Sequence, residues 1–446
     1  MVEDLTARLT DAVHLLRTFP PSTRVRVISH YDADGTAAAG IICHMLQREG
    51  YNVFATLMRN PFTKGFDRLM TEEDPVFIFT DMGSGQLDRI EQLKGSSIIL
   101  DHHQPGTLVP SKKIVQVNSN LCGIDGNYAA CGSSLSYLFA TLMNPKNADL
   151  AWLAIAGAIG DRQHMGGFQA INKDIVQTAL KTGQVSEKIH VKLQGRTLRD
   201  ALYCSIDPYF PGLSGDWEVT DGFLQDLHLK GDVAVNSLDE ASLVRLQSAL
   251  ALRLLKAGVA KEVLDLLISP RFYSSQVSTD LESVADILDA CGKSGHRGVG
   301  FALCLGGRQS WPEAIAIERE YREKILGALR DLPKTMTERK VLRYFISTDS
   351  SLGGVIAGIA AMYAVPQDKA LFALTRKDNE LHISCRGNRG LVEKGLDLGL
   401  AMRTIGNELG GHGGGHKIAA GATLAASCEA QFLQKTDELL AEQVKA

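Results

Sequence analysis

The sequence predicts an α/β protein whose N-terminal part is built on a doubly wound, mostly parallel sheet. Short apolar segments rich in β-branched residues alternate with helical patterns along this part, and a chain of 446 residues is too long for one simple core. Alternating strands and helices are typical of parallel sheets, because each parallel connection needs a crossover. We therefore expect two or three domains, the first of them doubly wound.

Five segments of the N-terminal part are predicted to be buried strands, because each is a short apolar run bounded by turn or polar residues. They are RVRVIS (24–29), NVFATLM (52–58), PVFIFTD (75–81), SSIILD (96–101) and KIVQVN (113–118). Between and after these strands, helical patterns cover 34–50, 133–143 and 148–160.

The rest of the chain predicts a loop-rich and helical middle followed by a second, smaller α/β unit. From about Phe168 the sequence is rich in loops, and helical patterns then cover 242–258, 281–292 and 312–332. The last of these carries charges of both signs, as a solvated connecting helix does, and a linker is predicted at 331–339. The second unit consists of strands at 341–347, 370–376 and 380–386, helices at 352–364 and 391–406, and a terminal helix.

The composition is that of an ordinary globular protein, with 45% hydrophobic and 22% charged residues and a formal net charge of −4. No apolar run approaches the roughly 20 residues that span a bilayer and no signal-peptide core is evident, so we expect a cytoplasmic protein without a membrane partner. The eight cysteines form no CxxC pair and are expected to be reduced thiols. The near-neutral charge neither requires nor excludes a nucleic-acid partner.

Acidic and histidine residues follow several predicted strands, which is where ligands bind in open α/β sheets. These residues are His30, Asp32 and Asp34 after the first strand, Asp81 after the third, Asp101, His102 and His103 after the fourth, and Asp161 after the helix 148–160. Taken alone, Asp34 is also explained as a helix N-cap, and a lone histidine as a core residue. The whole set has no such explanation, because burying several carboxylates together is costly unless cations neutralise them.

Divalent cations are the natural compensation for this set of acids. Carboxylate and imidazole ligands without thiolate favour Mn²⁺ or Mg²⁺ over structural zinc. Two histidines and at least four aspartates suffice for two ions about 3.5–4 Å apart, the arrangement used in phosphoryl hydrolysis. We therefore predict a centre with two Mn²⁺ ions, with Mg²⁺ as the alternative ion.

Six motifs in this order resemble those of the DHH phosphoesterase superfamily. SHYDADG (29–35), FTDMGSG (79–85), LDHHQP (100–105) and AIGDRQ (158–163) resemble its N-terminal motifs, and LHISCR (381–386) with GGHGGGHKIAAGAT (410–423) resembles the DHH-associated domain that closes over the substrate. A DHH tripeptide alone is weak evidence for this superfamily, but six motifs in the expected order are specific evidence for it. Within the superfamily the sequence looks most like the archaeal RecJ-like single-strand exonucleases, including the type that associates with the GINS replication complex.

The resemblance implies two ligand sets that share one bridging aspartate: His30, Asp32 and Asp81 for one ion, and Asp34, Asp81, His102 and Asp161 for the other. Asp101 would orient the histidine pair, and His103 would contact the scissile phosphate or protonate the leaving oxygen. The family's small-residue turn stands here as CGSS (131–134), a departure that leaves every ligand position intact.

The C-terminal motifs predict a phosphate pocket. Gly414 and Gly415 lie in a glycine-rich stretch whose backbone N–H groups can cradle phosphate, although taken alone such a stretch is also a flexible turn. Ser384 and Arg386, at the end of a predicted strand, supply hydroxyl and guanidinium donors for a phosphate. The resemblance implies that Ser384, Arg386 and His416 hold the nucleotide at the cleaved end.

We therefore expect a metal-dependent exonuclease acting on single-stranded DNA, RNA or both in DNA replication and repair. Its expected organisation is a catalytic DHH domain (1–195), a helical insertion with a connecting helix (196–330) and a DHH-associated substrate-binding domain (331–446), with the active-site cleft between the first and last. The insertion either docks GINS, and with it the replicative helicase, or shapes the nucleic-acid channel; the sequence leaves both open.

Two other functions stay open at this point. One is a small-substrate phosphoesterase, namely a nano-RNase or a 3′-phosphoadenosine 5′-phosphate phosphatase, which the long middle segment disfavours. The other is a replication scaffold bound to GINS with little activity, which the intact ligand set disfavours. The polarity of digestion and the preference for DNA or RNA cannot be predicted from the sequence.

Overall fold

The computed structural model describes residues 2–59 and 64–444. Residues 1 and 60–63 of the predicted catalytic domain (1–195), and residues 445 and 446 of the predicted substrate-binding domain (331–446), lie outside the described residues. The chain divides into two compact units, each made from two separate stretches of sequence. Residues up to His190 join Pro270–Glu318 in the first unit, and Val191–Ser269 join the residues from Arg319 onward in the second. The middle segment 196–330 is thus shared between the units, whereas the three-segment division by motifs stays a prediction.

The part of the chain up to Val191 alternates strands with helices. The strands are β1 (Arg24–His30), β2 (Asn52–Met58), β3 (Val76–Thr80), β4 (Ser96–Asp101), β5 (Ile114–Asn118) and β6 (Val185–Val191). The helices are α1 (Val2–Arg17), α2 (Ala33–Arg48), α3 (Lys64–Leu69), α4 (Leu87–Ile90), α5 (Gly132–Met143), α6 (Ala151–Gly160) and α7 (Ala170–Lys181).

The remaining chain is mainly helical until the second sheet begins. Its helices are α8 (Leu198–Tyr203), α9 (Trp217–Asp226), α10 (Glu240–Lys256), α11 (Lys261–Leu264), α12 (Leu281–Lys293), α13 (Arg297–Cys304), α14 (Trp311–Thr335), α15 (Gly353–Tyr363), α16 (Arg389–Glu393), α17 (Leu398–Glu408) and α18 (Glu429–Gln443). Its strands are β7 (Ile268–Ser274), β8 (Thr337–Glu338), β9 (Leu342–Ile346), β10 (Ala370–Lys377), β11 (Glu380–Arg386), β12 (His412–Gly415) and β13 (Ala419–Ala425).

The first unit is built on a five-stranded sheet in the order β2-β1-β3-β4-β5, in which all four strand pairs are parallel. Successive side chains of β3 face opposite sides of the sheet. Ile78 joins a core shared with α1, α2, α5 and α6, whereas Phe77 and Phe79 join a second core with residues of α3 and α4. Every residue of β3 is buried, because both faces are covered. The predicted doubly wound parallel sheet is confirmed.

The second unit carries a six-stranded sheet in the order β12-β13-β11-β10-β9-β8. The pair β9–β10 is parallel, and the other pairs are antiparallel. In β11, Leu381, Ile383 and Cys385 are buried in a core with residues of α17 and α18. Ser384 and Arg386 alternate with them and therefore face the other side of the sheet. The predicted smaller C-terminal α/β domain is confirmed.

Two boundaries differ from the predictions. The helix α14 continues to Thr335 and contains Pro333, so the first half of the predicted linker 331–339 is helical. Leu332 is only 2% exposed there, and its burial offsets the hydrogen bond that Pro333 cannot donate. The predicted helix 391–406 is two helices, α16 and α17, because Gly395 adopts a φ of +102° after α16.

Three further observations concern the helices, the cysteines and the elements that were not predicted. None of their helices is both long enough and apolar enough to cross a membrane. All eight cysteines are free thiols, and all except Cys428 are buried. The sequence did not predict α7, β6, α8 or α9, which lie in the part taken as loop-rich, or β7, which lies between two predicted helices.

Candidate metal centre

The carboxyl ends of three neighbouring strands bring acids and imidazoles together. His30 is the last residue of β1, Asp81 directly follows β3, and Asp101 is the last residue of β4. Since β3 lies between β1 and β4 and all three run parallel, these residues meet at one edge of the sheet.

The first group at this edge comprises His30, Asp32 and Asp81, whose ligand atoms lie within 4.8 Å of one another. His30 Nδ1 lies 2.7 Å from Asp32 Oδ2 and 3.5 Å from Asp81 Oδ2. Asp32 is also the N-cap of α2, because its Oδ1 accepts a hydrogen bond of 3.0 Å from the backbone N–H of Gly35. The carboxylate of Asp32 thus caps a helix and also belongs to the first group.

The second group comprises Asp34, His102 and Asp161, whose ligand atoms are equally close. His102 Nε2 lies 3.3 Å from Asp161 Oδ2 and 4.0 Å from Asp34 Oδ2. It also lies 3.1 Å from Asp81 Oδ1. Because Asp81 directs Oδ2 toward His30 and Oδ1 toward His102, it lies between the two groups.

Asp34 is 1% exposed, and its carboxylate is held by another helix. Its Oδ2 accepts a hydrogen bond of 2.6 Å from the N–H of Gly132, and its Oδ1 accepts one of 2.9 Å from the N–H of Ser133. These groups are at the beginning of α5, where backbone N–H groups lack partners within the helix. The alternative interpretation of Asp34 as the N-cap of α2 is therefore wrong, since Asp32 fills that role. The CGSS turn instead supplies the donors that hold Asp34.

The tautomer of His102 follows from its second nitrogen. His102 Nδ1 lies 2.6 Å from the carbonyl oxygen of Gly126, which can only accept a hydrogen bond, so Nδ1 carries a proton. When the ring is neutral, the lone pair of Nε2 then faces the carboxylate oxygens of Asp81 and Asp161. Such an arrangement is stable only with a proton or a metal cation on Nε2.

Asp101 lies behind the histidine pair. Its Oδ1 accepts hydrogen bonds from the backbone N–H of His102 at 2.8 Å and of His103 at 3.1 Å, and it lies 2.8 Å from His103 Nδ1. Its Oδ2 accepts a bond of 2.9 Å from the N–H of Ser84. The carboxylate thus contacts both histidines, and His103 Nε2 is left available on a side chain that is 57% exposed.

Small residues give the acids the room that they need. A Cβ on Gly132 would lie 2.5 Å from the Cβ of Asp81 and 2.9 Å from Asp34 Oδ2. A Cβ on Gly157 would lie 2.7 Å from Asp34 Oδ1. Asp81 itself adopts a φ of +58°, a left-handed conformation that is uncommon for residues other than glycine.

Gln163 contacts the second group, and the sequence did not indicate this contact. Its Nε2 lies 2.9 Å from the carbonyl oxygen of Gly126, the group that fixes His102, and 3.3 Å from Asp161 Oδ2. Gln163 is 2% exposed, and Asn172 donates to its side-chain oxygen at 2.6 Å. It therefore couples the orientation of two members of the second group. The motif AIGDRQ already contained this residue, but nothing in the pattern indicated its partners.

Burial and mutual repulsion shift the titration of these groups. Burial, together with the charge of Asp81, raises the pKa of Asp34 to about 6. Burial, together with the charge of Asp34, raises the pKa of Asp161 well above its usual range. Burial alone would raise the pKa of Asp81, but hydrogen bonds with His102 and His30 hold it below its usual value. Burial alone would lower the pKa of both imidazoles, yet the adjoining carboxylates raise it well above 6.5.

The donor set fits divalent cations. Each group offers carboxylate oxygens and an imidazole nitrogen, which are ligands suited to Mn²⁺. Mg²⁺ prefers oxygen ligands and also fits where water completes its coordination. The raised pKa values of Asp34 and Asp161 record an excess of negative charge that a cation would remove. The predicted ligands are thus brought together, with Asp81 able to serve both groups.

The predicted phosphate-pocket residues lie at one corner of the second sheet. Ser384 pairs with Gly421, which in turn pairs with Gly414 in the next strand. Arg386 pairs with Ala419, whose carbonyl oxygen accepts a hydrogen bond of 2.8 Å from the N–H of His416. Helix α15 passes over Ser384 and Arg386, since a Cβ on its Gly354 would lie 3.2 Å from Ser384 Oγ and 3.4 Å from a terminal nitrogen of Arg386.

The first unit thus combines a parallel sheet with clustered carboxylates and imidazoles, and the second unit carries a mixed sheet. Residues 24–158 match the family model "DHH family, N-terminal domain", and residues 339–442 match "DHHA1 domain". The uncharacterized protein MJ0831 of Methanocaldococcus jannaschii is 30% identical over 430 residues, which cover 94% of each chain. The chain therefore belongs to the DHH family.

Other relatives share the fold at lower identity. The single-stranded-DNA-specific exonuclease RecJ of Haemophilus influenzae is 26% identical over 178 residues, covering 34% of this chain and 31% of that protein. RecJ of Thermus thermophilus, crystallised with Mn²⁺, superposes with a TM-score of 0.61 at 16% identity over 98% of this chain and 55% of that chain. Cdc45 of Entamoeba histolytica superposes with a TM-score of 0.64 at 12% identity over 99% and 98%. The fold is RecJ-like, and the chain spans about half the length of the Thermus RecJ.

We expect Mn²⁺ to stabilise the fold more at about pH 7.5 than at about pH 5.5. The pKa of Asp34 is raised to about 6 and that of His30 lies well above 6.5, so the metal-free fold binds more protons than the unfolded chain. Its stability from these groups therefore falls as the pH rises above about 4. A cation that replaces the protons restores this stability, and thermal unfolding with Mn²⁺ or with EDTA measures the difference.

The control for this measurement is Asp34→Asn, which cannot titrate at this position and should reduce the pH dependence of the Mn²⁺-induced shift in Tm. An equal shift at both pH values in the unmodified protein would contradict the assignment of these groups to a cation site.

Proposed function

We propose that the protein is a Mn²⁺- or Mg²⁺-dependent exonuclease that hydrolyses phosphodiester bonds of single-stranded DNA, RNA or both in DNA replication and repair. The observation that carries the proposal is the convergence of the His30–Asp32–Asp81 and Asp34–His102–Asp161 groups at one sheet edge, with Asp81 between them. Membership of the DHH family supports a phosphoesterase, and the RecJ-like fold supports a nuclease.

In this proposal the two groups hold two cations. His30, Asp32 and Asp81 hold one, and Asp34, Asp81, His102 and Asp161 hold the other. Bound divalent cations supply Lewis acidity toward water and phosphate oxygens. The protein contributes the fixed spacing: the beginning of α5 holds Asp34, Gly126 fixes the His102 tautomer, and Gln163 aligns Asp161.

His103 is the proposed proton donor or phosphate contact. Partial burial alone would lower its pKa, but the hydrogen bond and the charge of Asp101 raise it to about 9. Asp101 therefore favours the protonated form of the imidazole. With Nδ1 held by Asp101, His103 can present Nε2–H to a phosphate oxygen or to the leaving oxygen.

The proposed end-binding pocket is formed by Ser384, Arg386, Gly414, Gly415 and His416. A guanidinium and a hydroxyl on one face of β11 suit a phosphate, and Gly414 pairs with Gly421, the partner of Ser384, so that the glycine-rich strand lies two strands away in the same sheet. Binding the end of a strand at a fixed site would make the enzyme remove nucleotides from the end of the chain.

Asp81→Ala should abolish hydrolysis and weaken Mn²⁺ binding, because Asp81 directs one carboxylate oxygen to each group. The measurement uses end-labelled single-stranded DNA and RNA with Mn²⁺, Mg²⁺ or EDTA, and labels at either end report the polarity. A dinucleotide and 3′-phosphoadenosine 5′-phosphate serve as competing substrates, and calorimetry follows the metal.

The matched control is Asp88→Asn, an exposed acid in α4, which should leave turnover unchanged. Undiminished hydrolysis by Asp81→Ala would contradict the two-metal assignment. Cleavage of the small substrates alone would support the nano-RNase or phosphatase alternative, and no cleavage by the unmodified protein would support the scaffold alternative.

Arg386→Ala should raise the KM for oligonucleotides by about tenfold or more and leave Mn²⁺ affinity unchanged, because a charge-assisted hydrogen bond to phosphate is worth about 1.5–3 kcal/mol. Arg376→Ala is the control, since this exposed arginine lies at the other end of the same strand pair and binds Glu429. Equal loss of substrate and metal binding would contradict the separation of these roles.

We also propose that GINS, and through it the replicative helicase, binds the exposed face of α10. Val244, Leu252 and Leu255 are 53%, 57% and 55% exposed, and their spacing places them along one side of the helix. Exposed apolar side chains grouped in this way are typical of protein-binding surfaces.

The double variant Leu252→Asp with Leu255→Asp should lose co-purification with GINS and retain exonuclease activity, because α10 contributes no residue to the proposed metal centre. Leu400→Asp, at a residue of α17 that is 53% exposed, is the control. Undiminished co-purification by the α10 variant would rule out this surface.

A further inference from the structure

The turn between β1 and α2 carries members of both proposed metal-binding groups on either side of one residue. Asp32 belongs to the first group and Asp34 to the second, and Ala33 lies between them. The backbone N–H of Ala33 is one of the first N–H groups of α2, which have no partner within the helix. The partner that it finds therefore influences how the two groups are spaced.

That partner is an acid on a distant helix of the same unit. The N–H of Ala33 donates a hydrogen bond of 3.0 Å to Oδ1 of Asp289 in α12, 256 positions along the chain. The other carboxylate oxygen of Asp289 accepts a hydrogen bond from Lys293, one helical turn later. Both carboxylate oxygens of Asp289 thus accept hydrogen bonds. The bond from Lys293 fixes the orientation in which the other oxygen contacts the N–H of Ala33.

The same turn is contacted closely at two further points. A Cβ on Gly292 of α12 would lie 1.8 Å from the carbonyl oxygen of Tyr31, so this approach requires glycine. A Cβ on Gly160, the last residue of α6, would lie 2.5 Å from the Cβ of Ala33. The backbone from Tyr31 to Ala33 is therefore packed against α12 and against the end of α6, which leads directly into Asp161.

We propose that Asp289 is a positioning residue of the metal centre, which holds the Ala33 N–H and thereby fixes the separation of Asp32 from Asp34. The inference rests on the proposed function, because it assumes that both groups hold cations. Asp289 lies outside the six motifs and belongs to neither of the two ligand groups. Residues that orient metal ligands in this way typically change metal affinity or activity by about 10–100-fold when they are replaced.

The test is direct Mn²⁺ binding to the full chain by calorimetry, together with KM and kcat at saturating Mn²⁺. Asp289→Ala removes the acceptor and should weaken Mn²⁺ binding about tenfold or more, while the KM for oligonucleotides stays unchanged. Asp289→Asn keeps an oxygen at the acceptor position and should restore binding close to that of the unmodified protein. A merely structural residue would change Tm and not the Mn²⁺ titration of the folded fraction.

Asp239→Ala is the matched control. Asp239 caps α10 in the second unit, where its Oδ1 accepts a hydrogen bond of 2.8 Å from the N–H of Ser242. Its replacement removes the same type of bond in the other unit, so Tm should fall and Mn²⁺ binding should not change.

The outcomes separate the inference from the function on which it rests. If the unmodified protein binds no Mn²⁺, the proposed function fails. If it binds Mn²⁺ and Asp289→Ala binds equally well, only the role of Asp289 is overturned. Should Asp289→Ala not fold, Asp289→Glu, which displaces the carboxylate by one methylene, decides the question: weaker Mn²⁺ binding at an unchanged Tm supports the role, and unchanged binding overturns it.

Discussion

The repulsion among aspartates crowded at one edge of a parallel sheet is the constraint on which the rest of the first unit depends. Moving a carboxylate out of water costs several kcal/mol unless hydrogen bonds or opposite charges compensate. Asp34 and Asp81 are almost fully buried, and imidazoles, backbone N–H groups and the helix α5 are all arranged around them. The arrangement that lowers the free-energy cost of burying these carboxylates also leaves a region of negative charge that attracts cations.

The same carboxylates stabilise the fold and form the candidate site. Asp32 caps α2 while facing His30, and Asp34 binds the beginning of α5 while facing His102. A structural role and a ligand role are therefore not alternatives for these residues. Loss of activity alone does not identify a ligand here, whereas loss of metal binding from a folded variant does.

The sequence predicted the parts of this arrangement that depend on local patterns. The five strands follow from apolar runs such as 76–80, and the acids follow from their position directly after those runs. The contact of α12 with the turn between β1 and α2 could not be predicted. The hydrogen bond from Ala33 to Asp289 joins residues 256 positions apart, so no local sequence pattern indicates it. The continuation of α14 through Pro333 was missed for a related reason: the burial of Leu332 outweighs a local rule.

The adjacent histidines show how one dipeptide serves two purposes. Both use Nδ1 for a protein partner, but His102 binds the carbonyl of Gly126 and is 8% exposed, whereas His103 binds Asp101 and its side chain is 57% exposed. His102 therefore directs Nε2 into the buried carboxylates, and His103 keeps Nε2 for the solvent side of the site. Because Asp101 also accepts both backbone N–H groups, a shift of this one carboxylate would move the buried and the exposed imidazole together.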